Sequence, residues 1–127
     1  MQTLEKAHPL VLFADDDVDL VALVQLKLRL EGFVVRTCYN GEGLLDMAME
    51  VEPDIILLDI TMNGIDGTDL CRLIKQNKET LHIPIILFSA NDELASIALA
   101  CGADGHIEKP FGTNNISSYI RNILNKK

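Results

Sequence analysis

Three adjacent carboxylates, Asp15, Asp16 and Asp17, follow directly on the apolar run Leu10 to Ala14, with Asp19 close behind. Two unit charges ~4 Å apart repel by about 4 kcal/mol at an effective dielectric of ~20. A chain that gathers such groups must offset the repulsion with a cation, a proton or open water. A further acid, Asp59, ends another apolar run, and the hydroxyl of Ser89 and the ammonium of Lys109 end two more. Three carboxylates, from Asp15, Asp16 and Asp59, suit a hard divalent cation. Mg²⁺ in particular takes oxygen ligands and is commonly held by one or two carboxylates plus a phosphate. Lys109 and Ser89 would then face an anion on the metal, and a phosphoryl group is the natural candidate.

These residues can act together only if the fold collects them. Short apolar runs at 10–14, 33–38, 54–58 and 83–88, and a weaker one at 105–108, alternate with helical spacing at about 17–31, 41–51, 67–77, 92–101 and 114–125. Ile55, Ile56, Leu57 and Leu58 in an unbroken row predict a strand covered on both faces, as in a parallel sheet. Asn40, Asp66, Asn91 and Thr113 stand where helix N-caps belong, and Gly32 and Gly102 where helices stop. Five strands alternating with five helices predict an α/β doubly wound sheet. In such sheets ligands bind outside the carboxyl ends of the strands. Asp15, Asp16, Asp59, Ser89 and Lys109 all fall at predicted strand ends.

The bulk properties set bounds. A chain of 127 residues is one domain, 1–127, with enough sequence for a real core. A net charge of -8 argues against a direct nucleic-acid footprint, which needs clustered Lys and Arg. No apolar run approaches the ~20 residues of a membrane helix and no secretory h-region opens the chain, so a soluble, cytoplasmic protein is expected. Cys38, Cys71 and Cys101 are far apart with no CxxC, and read as reduced core residues.

Taken singly, the polar residues have plainer explanations. Asp17 and Asp19 suit the start of a helix, where carboxylates favour the dipole. A calcium loop starting at Asp15 would need Gly and Glu where Leu20 and Leu26 stand, and one starting at Asp59 meets Leu70 at its last ligand position. A haloacid-dehalogenase-type phosphatase would need a second acid where Thr61 stands. Leu20, Leu23, Val24 and Leu28 read as the core stripe of the first helix, and Leu26 and Leu30 mostly as additional core padding, with a docking face for a protein partner as the alternative.

The segments "FADDDVDL", "PDIILLDITMNGIDG", "IPIILFSAND" and "CGADGHIEKPF" together resemble the four signature segments of response regulator receiver domains, in order and at matching spacing. The resemblance spans almost the whole chain. It implies a flavodoxin-like, five-stranded parallel sheet of order 2-1-3-4-5 with five helices. It also implies that Asp59 accepts a phosphoryl group from the phosphohistidine of a sensor histidine kinase or phosphotransfer protein. Asp15 and Asp16 match the pair that binds Mg²⁺, with Asp59 and the backbone carbonyl of Thr61 completing the protein ligands. Lys109 matches the residue that pairs with the acceptor and then with the phosphoryl oxygen. Ser89 matches the switch hydroxyl, and His106 stands at the switch aromatic position, where Tyr or Phe is more usual.

The same resemblance implies a signal read on the face from the fourth to the fifth helix, by a downstream protein or a second copy. It implies self-phosphorylation and slow dephosphorylation rather than turnover of an external substrate. Asn91 lies two residues past Ser89, where it could orient the hydrolytic water. Asn63 stands where Pro is frequent. The resemblance is to the chemotaxis-regulator-like single-domain form; Met1 and the basic end, Lys126 and Lys127, favour a small complete regulator, the alternative being a piece of a longer regulator or hybrid kinase. The alternative is a receiver-like module that binds protein partners without phosphorylation.

Overall fold

The computed structural model describes residues 8–62, 64–89, 94–108 and 113–125. Its central sheet is built from β1 (Leu10–Ala14), β2 (Val34–Cys38), β3 (Ile55–Asp59), β6 (Ile85–Ser89) and β7 (Gly105–Glu108), paired in parallel in the order β2-β1-β3-β6-β7. Counting only these strands, the order is the expected 2-1-3-4-5.

The expected inventory of five strands and five helices needs correction. A separate antiparallel pair, β4 (Thr61–Met62) and β5 (Ile65–Asp66), follows β3, so the described residues hold seven strands in two sheets. Among the described residues there are six helical segments rather than five. These are α1 (Val18–Leu30), α2 (Leu44–Val51), α3 (Gly67–Gln76), α4 (Leu94–Cys101) and α5 (Thr113–Asn125), and a 3₁₀ turn at Gly41–Gly43 in front of α2. The physical reasons are local. The Asn40 carboxamide accepts a hydrogen bond from the Glu42 amide at 2.8 Å, which starts a tight turn one step before the α-helical bonds begin. Gly64, at φ +78°, sits in the link between β4 and β5, where a non-glycine residue would be strained.

Strand alternation sorts the sheet's side chains to two faces. Leu12, Ala14, Ile56, Leu58, Ile85 and Leu87 pack with residues of α2, α3 and α4, including Leu44, Ala48, Cys71, Ile74 and Ala98. Val11, Phe13, Ile55, Leu57, Ile86 and Phe88 pack with Val21, Val24 and Leu28 of α1 and with Ile116 and Ile120 of α5. The Phe13 and Phe88 rings meet with centroids 5.1 Å apart, tilted by 54°. Helices therefore cover both faces, which explains why the central strands read as continuous apolar runs.

The stripe assigned to α1 is displaced from the expected one. Val21, Val24 and Leu28 are fully buried, whereas Leu23, Leu26 and Leu30 are 54%, 58% and 75% exposed. The padding reading of Leu26 and Leu30 is therefore wrong: they stand on the face turned away from the sheet. Gly32, at φ +97°, and Gly102, at φ +85°, end their helices as expected. Thr113 is the first residue of α5 rather than its cap.

At the amino ends of the strands, buried polar groups are closed by side chains. Asp54 accepts from the Leu10 amide at 2.7 Å. Asp104 accepts from the Ile85 amide at 2.8 Å and from Lys75 Nζ at 2.7 Å. Near the end of α1, Ser117 of α5 donates to Glu31 at 2.5 Å, and Arg121 donates to the Glu31 carbonyl at 2.9 Å while its guanidinium lies 4.5 Å from the centroid of the Phe33 ring.

Candidate functional site

The opposite, carboxyl ends of β1 and β3 deliver the acidic residues. Asp15 follows the last residue of β1, and its amide donates to the Cys38 carbonyl at 3.1 Å, extending the ladder with β2 by one bond. Its side chain is completely buried, and one carboxylate oxygen accepts from the Asp17 amide at 3.0 Å. Asp17 caps α1 by accepting from the Leu20 amide at 3.1 Å, so the acidic run divides into a buried residue, an exposed one and a helix cap. Asp59 is the last residue of the central strand β3 and is 6% exposed. One carboxylate oxygen from each of Asp15, Asp16 and Asp59 lies within 4.8 Å of the others, with Asp16 facing solvent.

Ionised carboxylates this close repel by about 3–4 kcal/mol per pair at an effective dielectric of ~20. Three hard oxygen donors converging at a strand end suit an oxygen-preferring cation, and such an ion offsets that repulsion. The chain therefore holds an acidic cluster able to coordinate a metal ion.

The segment after Asp59 is held as firmly as the strand before it. The Ile60 amide donates to the Phe88 carbonyl at 3.2 Å, and the Gly67 amide at the start of α3 donates to the Ile60 carbonyl. A Cβ at Gly67 would collide with the Asp59 carbonyl and lie 2.8 Å from the Ile60 Cα, so glycine lets α3 start against the end of β3. Asp66 caps that helix, accepting from the Thr68 amide at 2.8 Å and the Thr68 hydroxyl at 2.7 Å. Those bonds hold its carboxyl below the ordinary range. Thr61 opens β4 two residues beyond Asp59.

His106 lies in β7, half-buried, and its amide donates to the Tyr119 hydroxyl of α5 at 3.1 Å. The Tyr119 ring lies over Gly105, where an added Cβ would stand 2.7 Å from the phenol oxygen. Lys109 and Asn91 lie outside the described residues. Ser89 ends β6 as expected, and its side chain also lies outside them. Of the predicted residues, the fold thus brings Asp15, Asp16 and Asp59 together.

Sequence reasoning missed Gly67 and Tyr119. The Asp66-Gly67 pair ahead of a helical pattern was a usable signal for the first. The second joins a strand to a helix by a tertiary hydrogen bond, for which the sequence carries no local sign.

A parallel sheet of this order, with acidic residues gathered at the carboxyl end of its middle strands, defines a doubly wound α/β protein with a candidate metal-dependent site. Residues 11–121 match the family model of the response regulator receiver domain. The chain is also similar to solved structures. One is designated a response regulator from Chloroflexus aurantiacus, at 29% identity and TM-score 0.87 over 93% of this chain and 98% of that one. A second is the signal receiver domain of a signal transduction histidine kinase from Syntrophus aciditrophicus, at 26% identity and TM-score 0.84 over 93% and 91%. A third is NtrX from Brucella abortus, at 30% identity and TM-score 0.84, where 95% of this chain corresponds to 28% of the longer one. The chain belongs to the response regulator receiver domain family. It therefore acts in two-component signalling, taking a phosphoryl group from histidine onto aspartate, with a histidine kinase or phosphotransfer protein as its general class of partner. Like other receivers it is not classed as a turnover enzyme.

Proposed function

We propose that Asp59 is the phosphoacceptor. The observation that carries the reading is its place as the last residue of the central strand, nearly buried, with an oxygen within 4.8 Å of oxygens of Asp15 and Asp16. An Asp59 oxygen attacks the phosphorus of the donor's phosphohistidine. The new O–P bond forms as the N–P bond breaks, and the bonding pair stays on the imidazole nitrogen. Hydrolysis of the resulting acyl phosphate by water returns the carboxylate and inorganic phosphate. A carboxylate is a weak nucleophile, so positioning and charge neutralisation carry most of the catalysis.

Mg²⁺ fits the site by its donor chemistry, held by Asp15, Asp16, Asp59 and the Thr61 carbonyl, and supplies neutralisation of the carboxylate and phosphoryl charges. Asp15 is positioned for its part by the Asp17 amide. Lys109 is assigned to the phosphoryl oxygens, and Ser89 to the hydrogen bond that reports the new phosphate. His106 is assigned to the coupled movement that changes the face of α4, β7 and α5 for a downstream protein. These assignments rest on the order of the signature segments, and chain 1–127 is read as one receiver unit.

The test is intact mass after incubation with acetyl phosphate, with Mg²⁺ or with EDTA, for the native chain and Asp59→Asn. A single phosphoryl adduct that requires Mg²⁺ and vanishes in the variant is expected. No adduct on the native chain would favour a phosphorylation-independent binding module, and an adduct that survives in Asp59→Asn would place the acceptor elsewhere.

A further inference from the structure

β7 is an outer strand of the sheet, so every second amide along it points away from β6 with no strand to receive it. The His106 amide is instead received by a helix, donating to the Tyr119 hydroxyl of α5 at 3.1 Å. Gly105 makes the approach possible. A Cβ there would stand 2.7 Å from the phenol oxygen and 3.0 Å from Cε1 of the ring. Ile107, on the same side of the strand as Gly105, packs into the apolar layer that includes Ile116 and Ile120 of α5. Alternation puts the His106 ring on the other side, the side that α4 covers. Residue 106 therefore meets α5 through its backbone and not through its ring.

The register connects this bond to the acidic site. Asp59 pairs with Phe88 across the β3–β6 ladder, and Phe88 pairs with Ile107 across the β6–β7 ladder. The peptide that joins His106 to Ile107 thus ends a line of backbone that starts at Asp59 and crosses two ladders, about 10 Å. α5 is anchored elsewhere to a helix end rather than to the sheet: Ser117 donates to the Glu31 side chain and Arg121 to the Glu31 carbonyl. The Tyr119 bond ties α5 to the strand that stands in register with the acidic site.

We propose that Tyr119 is a positioning residue, whose hydroxyl fixes α5 on the outer edge of β7 and carries a change at Asp59 to that helix through the β7 backbone. The proposal rests on the reading of Asp59 as the phosphoacceptor, and deepens it by naming the bond through which α5 responds. It adds a backbone route to the movement assigned to His106.

The experiment follows the backbone amides of the full chain by heteronuclear NMR, before and after acetyl phosphate with Mg²⁺, with intact mass reporting the adduct in each sample. In the native chain, the adduct is expected to shift amides of α5 together with those of β7. Tyr119→Phe keeps the ring and removes the hydroxyl, whereas Gly105→Ala keeps the hydroxyl and displaces the phenol. Both are expected to speed hydrogen exchange at the His106 amide ~5-fold or more. Both are also expected to reduce the α5 shifts by at least half while β7 still responds. Ser117→Ala removes a different hydrogen bond of α5 and is expected to leave its response intact, which separates positioning from a general loosening of the helix. Circular dichroism checks that each variant folds. Unaltered α5 shifts in adduct-bearing Tyr119→Phe overturn the proposal, as does His106 exchange indifferent to both variants. An equal loss of response in Ser117→Ala also overturns it, and makes Tyr119 one anchor among several. A native chain that forms no adduct overturns the acceptor reading, and this proposal with it, whatever the exchange rates.

Discussion

Cys71 shows how burial sets the chemistry of a single side chain. Its thiol is fully enclosed on α3 and donates toward the Cys101 carbonyl at 3.5 Å. Burial, and then the neighbouring Cys101 thiol, push its pKa up to about 12. The thiolate is the reactive form, so Cys71 is inert at neutral pH, in line with the core role expected for all three cysteines. An unfolded cysteine titrates near ~8.5. Its folded pKa is raised, so the stability linked to it is fully present below that value and is lost as pH rises toward 12. Iodoacetamide at pH 8 should label none of the three cysteines in the native chain and all of them in urea. The urea midpoint should fall between pH 9 and 11, and fall less steeply in Cys71→Ala.

At the scale of elements, the junction of β3 with α3 decides where the proposed acceptor sits. Asp59 is held from behind by the strand ladder and from the side by the Ile60 carbonyl, which accepts from Gly67. The helix begins against that turn because residue 67 has no Cβ to collide with the Asp59 and Ile60 backbone. Gly67→Ala forces the helix start and the acceptor turn apart. A loss of about 1–3 kcal/mol is expected from the overpacking, read as a lower urea midpoint, together with a slower appearance of the acetyl phosphate adduct. An unchanged midpoint would mean that the junction yields more easily than its close contacts imply. The β4–β5 pair belongs to the same junction. Its Asn63-Gly64 dipeptide is a hairpin signal that the sequence reading treated only as a departure from Pro at residue 63.

At the scale of the whole molecule, two apolar layers hold together a site that is electrostatically unfavourable by itself. Asp15 and Asp59 are buried beside one another and beside Asp16, so the folded state carries a repulsion that the unfolded chain lacks. A divalent cation that binds this cluster and not the unfolded chain stabilises the fold by about 2.7 kcal/mol at a hundred times its dissociation constant. Mg²⁺ should therefore raise the Tm, Na⁺ at equal ionic strength should not, and Asp16→Asn should reduce the Mg²⁺ effect. A Tm that ignores Mg²⁺ would remove the cluster's assignment as a metal site.

The alternation of apolar runs with helical spacing determined the sheet, its two-sided burial and the strand ends at which Asp15, Asp59 and Ser89 stand, because these are local consequences of period and punctuation. The order of the strands came from the resemblance of the four signature segments, since alternation alone is compatible with several orders. Tertiary structure decided what depends on distance along the chain. It set three carboxylate oxygens within 4.8 Å, joined Tyr119 to the His106 amide across two elements, and chose which side of α1 meets the sheet. Leucines populate much of that helix, so its apolar pattern is broad and two faces compete for burial. The position of α1 over Val11, Phe13 and Leu57 resolved the competition, and left Leu23, Leu26 and Leu30 in water.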